Sequence, residues 1–198
     1  MTSGPVVGPH GGRARHWHEV LTCTHLHLPP KIRFGTAARK NWKGWRIAMN
    51  DFTITYVVYI ATTAPKLWTA LTSPQILRKN WGNIESEWTE GSKVTEVDDS
   101  GKVLWKGEVR RSSPPRVLSY SFDVTGSGEP PTEVTFELGP PVSPIAPGAE
   151  VVQLRITQAG FLENSKLAAG CARAWPEILS SIKTHVETGL PLGFAWRH

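Results

Sequence analysis

The chain has 198 residues, of which 39% are hydrophobic and 20% charged, a composition typical of a globular domain rather than a disordered one. It contains no apolar run near the roughly 20 residues that a membrane-spanning helix needs, and its two cysteines exclude a disulfide-rich scaffold. The net charge of +5 lies wholly in residues 1–48, which carry +7, whereas residues 49–198 carry −2. The organised part is not basic, so we expect no nucleic-acid partner.

Residues 1–48 lack both the 3.6-residue period of a helix and the 2-residue period of a strand. Glycine and proline interrupt them repeatedly. Three interpretations are open: a disordered basic tail, a segment that is not made because the protein begins at Met49, or a functional arm for targeting, nucleic-acid binding or metal binding. We expect a cytoplasmic location, because the first 30 residues lack the apolar segment of a secretory signal.

The same segment holds a cluster of histidine and cysteine side chains that could bind zinc. Four such ligands suffice for a structural zinc site, but the spacing here matches no zinc template. We therefore predict no metal site. The residues are His16, His18, Cys23, His25 and His27.

The ordered pattern begins at Phe52, where β-branched and aromatic residues alternate to Ile60 and predict a strand. Thr63 is a candidate N-cap for a short helix with Pro65 in its first turn. Ser73-Pro74 repeats this signal and predicts a second short helix that ends at Trp81-Gly82.

Strands and turns follow, because apolar and polar residues alternate in segments bounded by Gly, Pro, Asp and Ser. From about Ser165 to Thr188 the period becomes helical, with Gly189 as the helix stop. Pro176 either starts this helix or kinks it. The predicted strands cover residues 84–88, 93–97, 103–110, 118–124, 134–138 and 152–157.

This order predicts an α+β fold in which a curved antiparallel sheet of about six to seven strands wraps around one long C-terminal helix. We expect a single domain over residues 50–194. The order and residues resemble the SRPBCC or START-like superfamily with its helix-grip fold, and most closely the activators of the 90-kDa heat-shock chaperone's ATPase and their homologues. The segments that carry this resemblance are Thr63–Thr72, Pro74–Gly82, Glu87–Gly91, Gly107–Val109, Pro115–Tyr120, Val134–Leu138 and Gly170–Gly189.

The resemblance implies an apolar cavity between the sheet and the long helix. The alternative for each tryptophan is that it simply packs the core, and for Tyr120 that its hydroxyl makes a structural hydrogen bond. The candidate cavity residues are Trp68, Trp81, Trp88, Trp105, Tyr120, Phe122, Trp175, Leu179 and Ile182.

Groups for catalysis are scarce, because no histidine occurs between residues 50 and 184. His185 is interpreted as a partner of the helix dipole, and Cys171 as a small buried hydrophobe without a histidine beside it. We predict no catalytic residue, no cofactor and no metal. The favoured function is a binding module for a small hydrophobic or amphipathic ligand. The alternatives are a co-chaperone-like module that binds a chaperone or another protein, and, ranked last, a cyclase-like enzyme.

Overall fold

The computed structural model describes residues 52–142 and 150–193. The predictions for residues 1–48, including the histidine and cysteine cluster, lie outside the described residues. The elements in chain order are β1 (Phe52–Ala61), α1 (Ala64–Thr72), α2 (Pro74–Asn80), β2 (Ile84–Ser86), β3 (Lys93–Val97), β4 (Val103–Ser113), β5 (Val117–Val124), β6 (Thr132–Val142), β7 (Val151–Phe161) and α3 (Lys166–Thr188).

The strands form one curved antiparallel sheet of seven strands in the order β1-β7-β6-β5-β4-β3-β2. Consecutive strands from β2 to β7 are neighbours, whereas β1 returns to pair with β7 at the far edge. The helix α3 contacts β1 and both short helices, and its apolar stripe is buried against the rest of the core. This is the predicted α+β helix-grip architecture, with seven strands.

The two short helices begin where the sequence predicts. The Thr63 hydroxyl accepts a hydrogen bond from the backbone N–H of Lys66, as an N-cap does. Ser73 occupies the N-cap position of α2, but its hydroxyl donates to Gln75 instead of capping the helix. The first turn of α2 depends on Pro74, whose missing N–H needs no partner there.

The long helix runs without a break through Pro176. A proline inside a helix leaves the carbonyl four residues earlier without its usual donor, and here that carbonyl belongs to Ala172. The Tyr56 hydroxyl of β1 donates to this oxygen at 2.6 Å. The sheet thus supplies the hydrogen bond that the proline removes, and the alternative prediction that the helix starts at Pro176 is wrong, since the helix begins at Lys166.

Two other groups of hydrogen bonds hold α3 in place, one at each end of the helix. At its N-terminus, the Glu129 carboxylate accepts hydrogen bonds from the N–H groups of Lys166 and Leu167 at 3.0 and 3.2 Å. Near its C-terminus, Lys183 Nζ donates to the backbone oxygen of Tyr59 at 2.8 Å, and Glu187 accepts from the N–H of Ala61 at 2.7 Å. Gly189 ends the helix in a left-handed conformation, as predicted.

One predicted strand is shorter than the sequence suggests. The pattern from Ile84 to Trp88 predicts five residues, but β2 ends at Ser86. Trp88 has a φ of 54°, which lies outside the extended region, so the chain cannot continue as a strand there. The residues after Ser86 form a loop that leads to β3.

Candidate functional site

Aromatic rings from several elements meet in the interior between the sheet and α3, and we call them the ring cluster. Trp105 of β4 lies at its centre: its ring stacks on Tyr120 at 5.8 Å and on Trp81 at 6.1 Å between centroids, and it contacts Phe122 at 4.6 Å. The ring cluster consists of Trp81, Trp88, Trp105, Tyr120, Phe122, Phe136 and Trp175.

The strand register explains why these rings meet. Trp105 pairs with Val124 across β4 and β5, and Val109 pairs with Tyr120, so inward positions of two neighbouring strands carry large rings. Trp81 follows the end of α2 and meets Trp175 of α3 edge to face at 5.0 Å. The short helix and the long helix therefore close the ring cluster from the side opposite the sheet.

Of the nine predicted cavity residues, six belong to the ring cluster. Leu179 and Ile182 are buried in the same core on α3. Trp68 of α1 is half-buried and packs against this core from outside. Sequence reasoning missed Phe136 as a member of the site, although its inward alternation on β6 was visible.

A surface groove of about 450 Å³ lies beside the ring cluster, between α1, the loop before β3 and the end of β4. Trp88 belongs to both: it lines the groove and meets the Tyr120 ring edge-on at 5.9 Å between centroids. The lining residues are Trp68, Thr72, Glu87, Trp88, Thr89, Glu90, Ser112 and Pro114.

Two buried polar side chains that sequence reasoning missed also face the rings. Glu96 of β3 lies directly opposite Trp105 in the strand register, and its carboxylate accepts a hydrogen bond from Trp105 Nε1. Gln158 of β7 accepts from Trp175 Nε1 at 2.7 Å and donates to Thr132 Oγ1 at 2.9 Å. The alternation of apolar and polar residues along β3 could have revealed the inward position of Glu96, because it places Glu96 on the same face as Val94.

Three donors in the ring cluster differ from these paired groups. Trp81 Nε1, Trp88 Nε1 and the Tyr120 hydroxyl are buried and have no hydrogen-bond partner among the residues that the structure describes. Most buried polar side-chain atoms in folded proteins have a partner, because an unpaired one costs roughly 1–3 kcal/mol. Three such donors within one cluster of contacting rings mark this interior as a candidate site.

Two titratable groups near these rings, the Tyr120 hydroxyl and the Cys171 thiol, stay protonated at neutral pH. Burial raises the pKa of the Tyr120 hydroxyl well above its usual value, and the nearby Glu96 and Cys171 raise it further. Burial also raises the pKa of the Cys171 thiol to about 12. Tyr120 therefore acts as a neutral hydrogen-bond donor, and Cys171 is not a thiolate nucleophile at neutral pH.

His185 lies outside the ring cluster, in the last turn of α3. Its Nδ1 lies 2.6 Å from Asn80 Nδ2, and Asn80 Oδ1 accepts from the Ser181 hydroxyl at 2.9 Å. An imidazole nitrogen that accepts from an amide carries no proton, so this geometry fits a neutral ring. Partial burial, and then the charge of Lys79, lower the pKa of His185, which agrees with that state.

The described residues contain no group of three His, Cys, Asp or Glu side chains placed to hold a metal ion. No helix within 52–142 or 150–193 is long and apolar enough to cross a membrane.

A comparison of the sequence with models of known protein families shows which family this chain belongs to. Residues 61–187 match the family described as Activator of Hsp90 ATPase homolog 1-like protein (AHSA1), and this match covers more than half of the chain. The chain belongs to the AHSA1 family. The match begins at the end of β1 and ends in the last turn of α3, so it includes every residue of the ring cluster. A search of curated proteins found no match.

Solved structures share the AHSA1 fold at low sequence identity. Protein MLL2253 from Mesorhizobium loti is 25% identical to this chain and superposes with a TM-score of 0.58. The match covers 67% of this chain and 95% of MLL2253. The Aha1 dimer from Colwellia psychrerythraea is 22% identical, with coverages of 70% and 98% and a TM-score of 0.56. CalU16 from Micromonospora echinospora is 20% identical, with coverages of 72% and 78% and a TM-score of 0.56. The last two likenesses show the fold alone.

Proposed function

We propose that this AHSA1 domain binds one small, largely apolar molecule in the interior formed by the ring cluster. The observation that carries the proposal is the set of three buried, unpaired donors on Trp81, Trp88 and Tyr120. Binding sites for small molecules are lined mainly by apolar and aromatic side chains, with a few polar groups that fix orientation. The ring cluster has this composition, and its unpaired donors are the groups that a ligand would engage.

The protonation states favour binding over catalysis. The hydroxyl of Tyr120 and the thiol of Cys171 both hold their protons at neutral pH, so neither serves as a base or an activated nucleophile. Glu96 hydrogen-bonds to Trp105 and packs against the backbone of Gly82, where a side-chain carbon would lie 1.7 Å from its Oε1. Tyr120, Cys171 and Glu96 are therefore better suited to contact a bound molecule than to react with it.

Binding to a protein partner is the second candidate function. The AHSA1 family takes its description from an activator of the Hsp90 ATPase, which supports an interaction with a chaperone. The exposed side chains of Phe52 and Val57 on β1 would suit a protein contact.

The deciding experiment looks for a bound small molecule in the folded protein. Native mass spectrometry after mild purification is expected to detect one molecule per chain in the wild type and in the surface control Tyr59→Phe. Tyr120→Phe, which removes one unpaired donor, is expected to retain less of it. In parallel, the neutral fluorescent ketone Prodan should bind one site per chain and quench tryptophan emission.

One result would contradict the proposal that the domain binds a small molecule. If no molecule is retained and Prodan shows no saturable binding to folded wild-type protein, the ligand-binding proposal fails. Capture of the 90-kDa chaperone by the purified chain, with stimulation of its ATPase, would then support the second candidate.

A further inference from the structure

We infer that the Trp88 ring closes the route from the surface groove to Tyr120, and that the molecule admitted is neutral and carries an oxygen atom that accepts hydrogen bonds. This inference rests on the proposed function and adds to it the entrance, the residue that controls it and the class of ligand. Four observations lead to it.

The first observation is the position of the Trp88 side chain. It is 8% exposed and lines the groove with Trp68 and Thr72, and its ring also meets the ring of Tyr120. Trp88 is thus the member of the ring cluster that contacts both the groove and the interior. Movement of this ring toward solvent would join the groove to the Tyr120 hydroxyl.

The second observation is the backbone of Trp88. Its φ of 54° places a bulky residue in the left-handed region, which such residues rarely occupy. The N–H of Trp88 donates to Ser86 Oγ at 3.0 Å, and Ser86 Oγ lies 3.3 Å from Ser92 Oγ. Strained conformations of this kind persist where surrounding contacts impose them, and they occur often at binding sites. The serine contacts hold the loop in the closed position.

The third observation is that both rings at this contact carry buried donors without a partner in the described part of the chain, Trp88 Nε1 and the Tyr120 hydroxyl. Movement of Trp88 outward would let water hydrate its indole N–H. A ligand that takes the vacated space could accept a hydrogen bond from Tyr120. The indole N–H of Trp81, which stays in the interior, can only donate, so the ligand atom that suits the unpaired groups there is an acceptor such as a carbonyl or ether oxygen.

The fourth observation is the sign of the nearby charges. Glu87 and Glu90 line the groove, and none of the lining residues that the structure describes is basic. Inside, the Glu96 carboxylate lies close enough to Tyr120 to raise the pKa of its hydroxyl. A carboxylate or sulfonate ligand would meet like charge at the entrance and in the interior, so these carboxylates disfavour an anionic acceptor and leave an uncharged oxygen, such as that of a ketone, as the acceptor.

The class of ligand is tested with three matched naphthalene probes on the full-length protein. Prodan is a neutral ketone, 2-dimethylaminonaphthalene lacks the ketone, and 1-anilinonaphthalene-8-sulfonate is an anion. We expect Prodan to bind at least fivefold more tightly than the probe without the ketone and at least tenfold more tightly than the anion. Equal affinities for the three probes would overturn the assignment of a neutral acceptor.

The entrance is tested by stopped-flow fluorescence with Prodan. Trp88→Gly removes the ring at a backbone position that suits glycine and should raise the association rate constant at least tenfold. Thr72→Trp fills the groove and should slow association and dissociation by the same factor, which leaves the dissociation constant within twofold. Tyr59→Phe, on the outer face of β1, should change neither rate.

The outcomes separate the inference from the function it rests on. Saturable Prodan binding with wild-type rates in both Trp88→Gly and Thr72→Trp would overturn the entrance while leaving ligand binding intact. If Trp88→Gly does not fold, Thr72→Trp decides alone, because Thr72 is the last residue of α1 and lines the groove outside the ring cluster. Absence of any saturable Prodan site in the wild type is the failure of the proposed function itself.

Discussion

The Tyr56 hydroxyl donates its hydrogen bond to the carbonyl oxygen of Ala172, 116 residues away in the chain. That oxygen has no helical donor because Pro176 stands four residues later. One side chain of the edge strand β1 therefore completes the backbone hydrogen bonding of α3. Continuity of the helix depends on this contact with the sheet.

Tyr56→Phe is expected to lower the free energy of unfolding by about 1–2 kcal/mol, because it leaves a partly buried carbonyl without a partner. Urea denaturation followed by far-ultraviolet circular dichroism measures this change. Tyr59→Phe on the same strand is the control, since Tyr59 is 50% exposed and its hydroxyl accepts a hydrogen bond from the side chain of Gln153. Equal stability of the two variants would contradict the role given to Tyr56.

Tyr120→Phe is expected to raise the free energy of unfolding, whereas Tyr56→Phe lowers it. The Tyr120 hydroxyl is buried without a partner in the described residues, so its removal eliminates an unpaired polar group at little cost in packing. We expect the protein, free of ligand, to gain up to about 1 kcal/mol of stability. Differential scanning calorimetry of the ligand-free variant checks this, and a clear loss of stability would indicate a structural hydrogen bond instead.

Glu129→Gln is expected to destabilise the protein by about 1 kcal/mol. The Glu129 carboxylate accepts from two N–H groups in the first turn of α3, where the helix dipole favours negative charge. The exposed Glu163, just before the helix, provides the control Glu163→Gln. The difference between the two variants should shrink in high salt, because part of it is electrostatic. A difference that is absent at low salt would contradict the role of Glu129 as a cap.

Gly107→Ala is expected to cost about 3 kcal/mol or more. A Cβ atom at Gly107 would lie 1.7 Å from the backbone oxygen of Ser121 on the neighbouring strand, and a backbone atom cannot yield as a flexible side chain does. Gly193→Ala serves as the control, since no atom lies within 4 Å of its Cβ position among the described residues. A stability of Gly107→Ala close to that of the wild type, in thermal and urea denaturation, would show that β4 and β5 can separate there.

Stability is expected to fall as the pH decreases below 6.5, the ordinary pKa of histidine. The pKa of His185 is lowered in the folded protein, so the unfolded chain binds a proton first and acid favours unfolding. The contribution of His185 is complete above pH 6.5 and is lost as the pH falls through the folded pKa. His185→Gln should have a flatter profile of unfolding free energy between pH 7 and 5. Identical profiles would exclude His185 as the cause.

Local patterns in the sequence were sufficient to predict the order of elements and the inward-facing aromatic residues. Thr63 and Gly189 mark helix ends through backbone rules that act within a few residues. The course of the chain at Pro176 could not be predicted, because the donor that satisfies Ala172 comes from a distant strand. Trp88 shows the same limit: its positive φ is imposed by the loop around Ser86 and Ser92 and breaks the alternation that predicted a longer strand.

The inward-facing positions of the rings were predictable, but the arrangement of the rings was not. Alternation places Trp105 and Tyr120 inward, and the register of β4 and β5 then stacks their rings. Whether a donor has a partner depends on small differences in the distances between side chains of different elements, which local sequence patterns do not determine. Glu96 and Gln158, polar residues on inward positions, were visible departures from the apolar pattern, and they hydrogen-bond to Trp105 and Trp175.

The contacts of Lys183 and Glu187 with β1 have a consequence for self-association. A hydrogen bond from the N–H of Ala61 to Glu187 means that this N–H points away from β7, toward the open side of the sheet. A strand from another molecule that added to the sheet at Tyr59–Ala61 would have to displace both side chains of α3. The helix that covers the core therefore also blocks strand addition at one end of β1. On this edge of the sheet, extension is left to the half of β1 that begins at Phe52, while β2 forms the opposite edge.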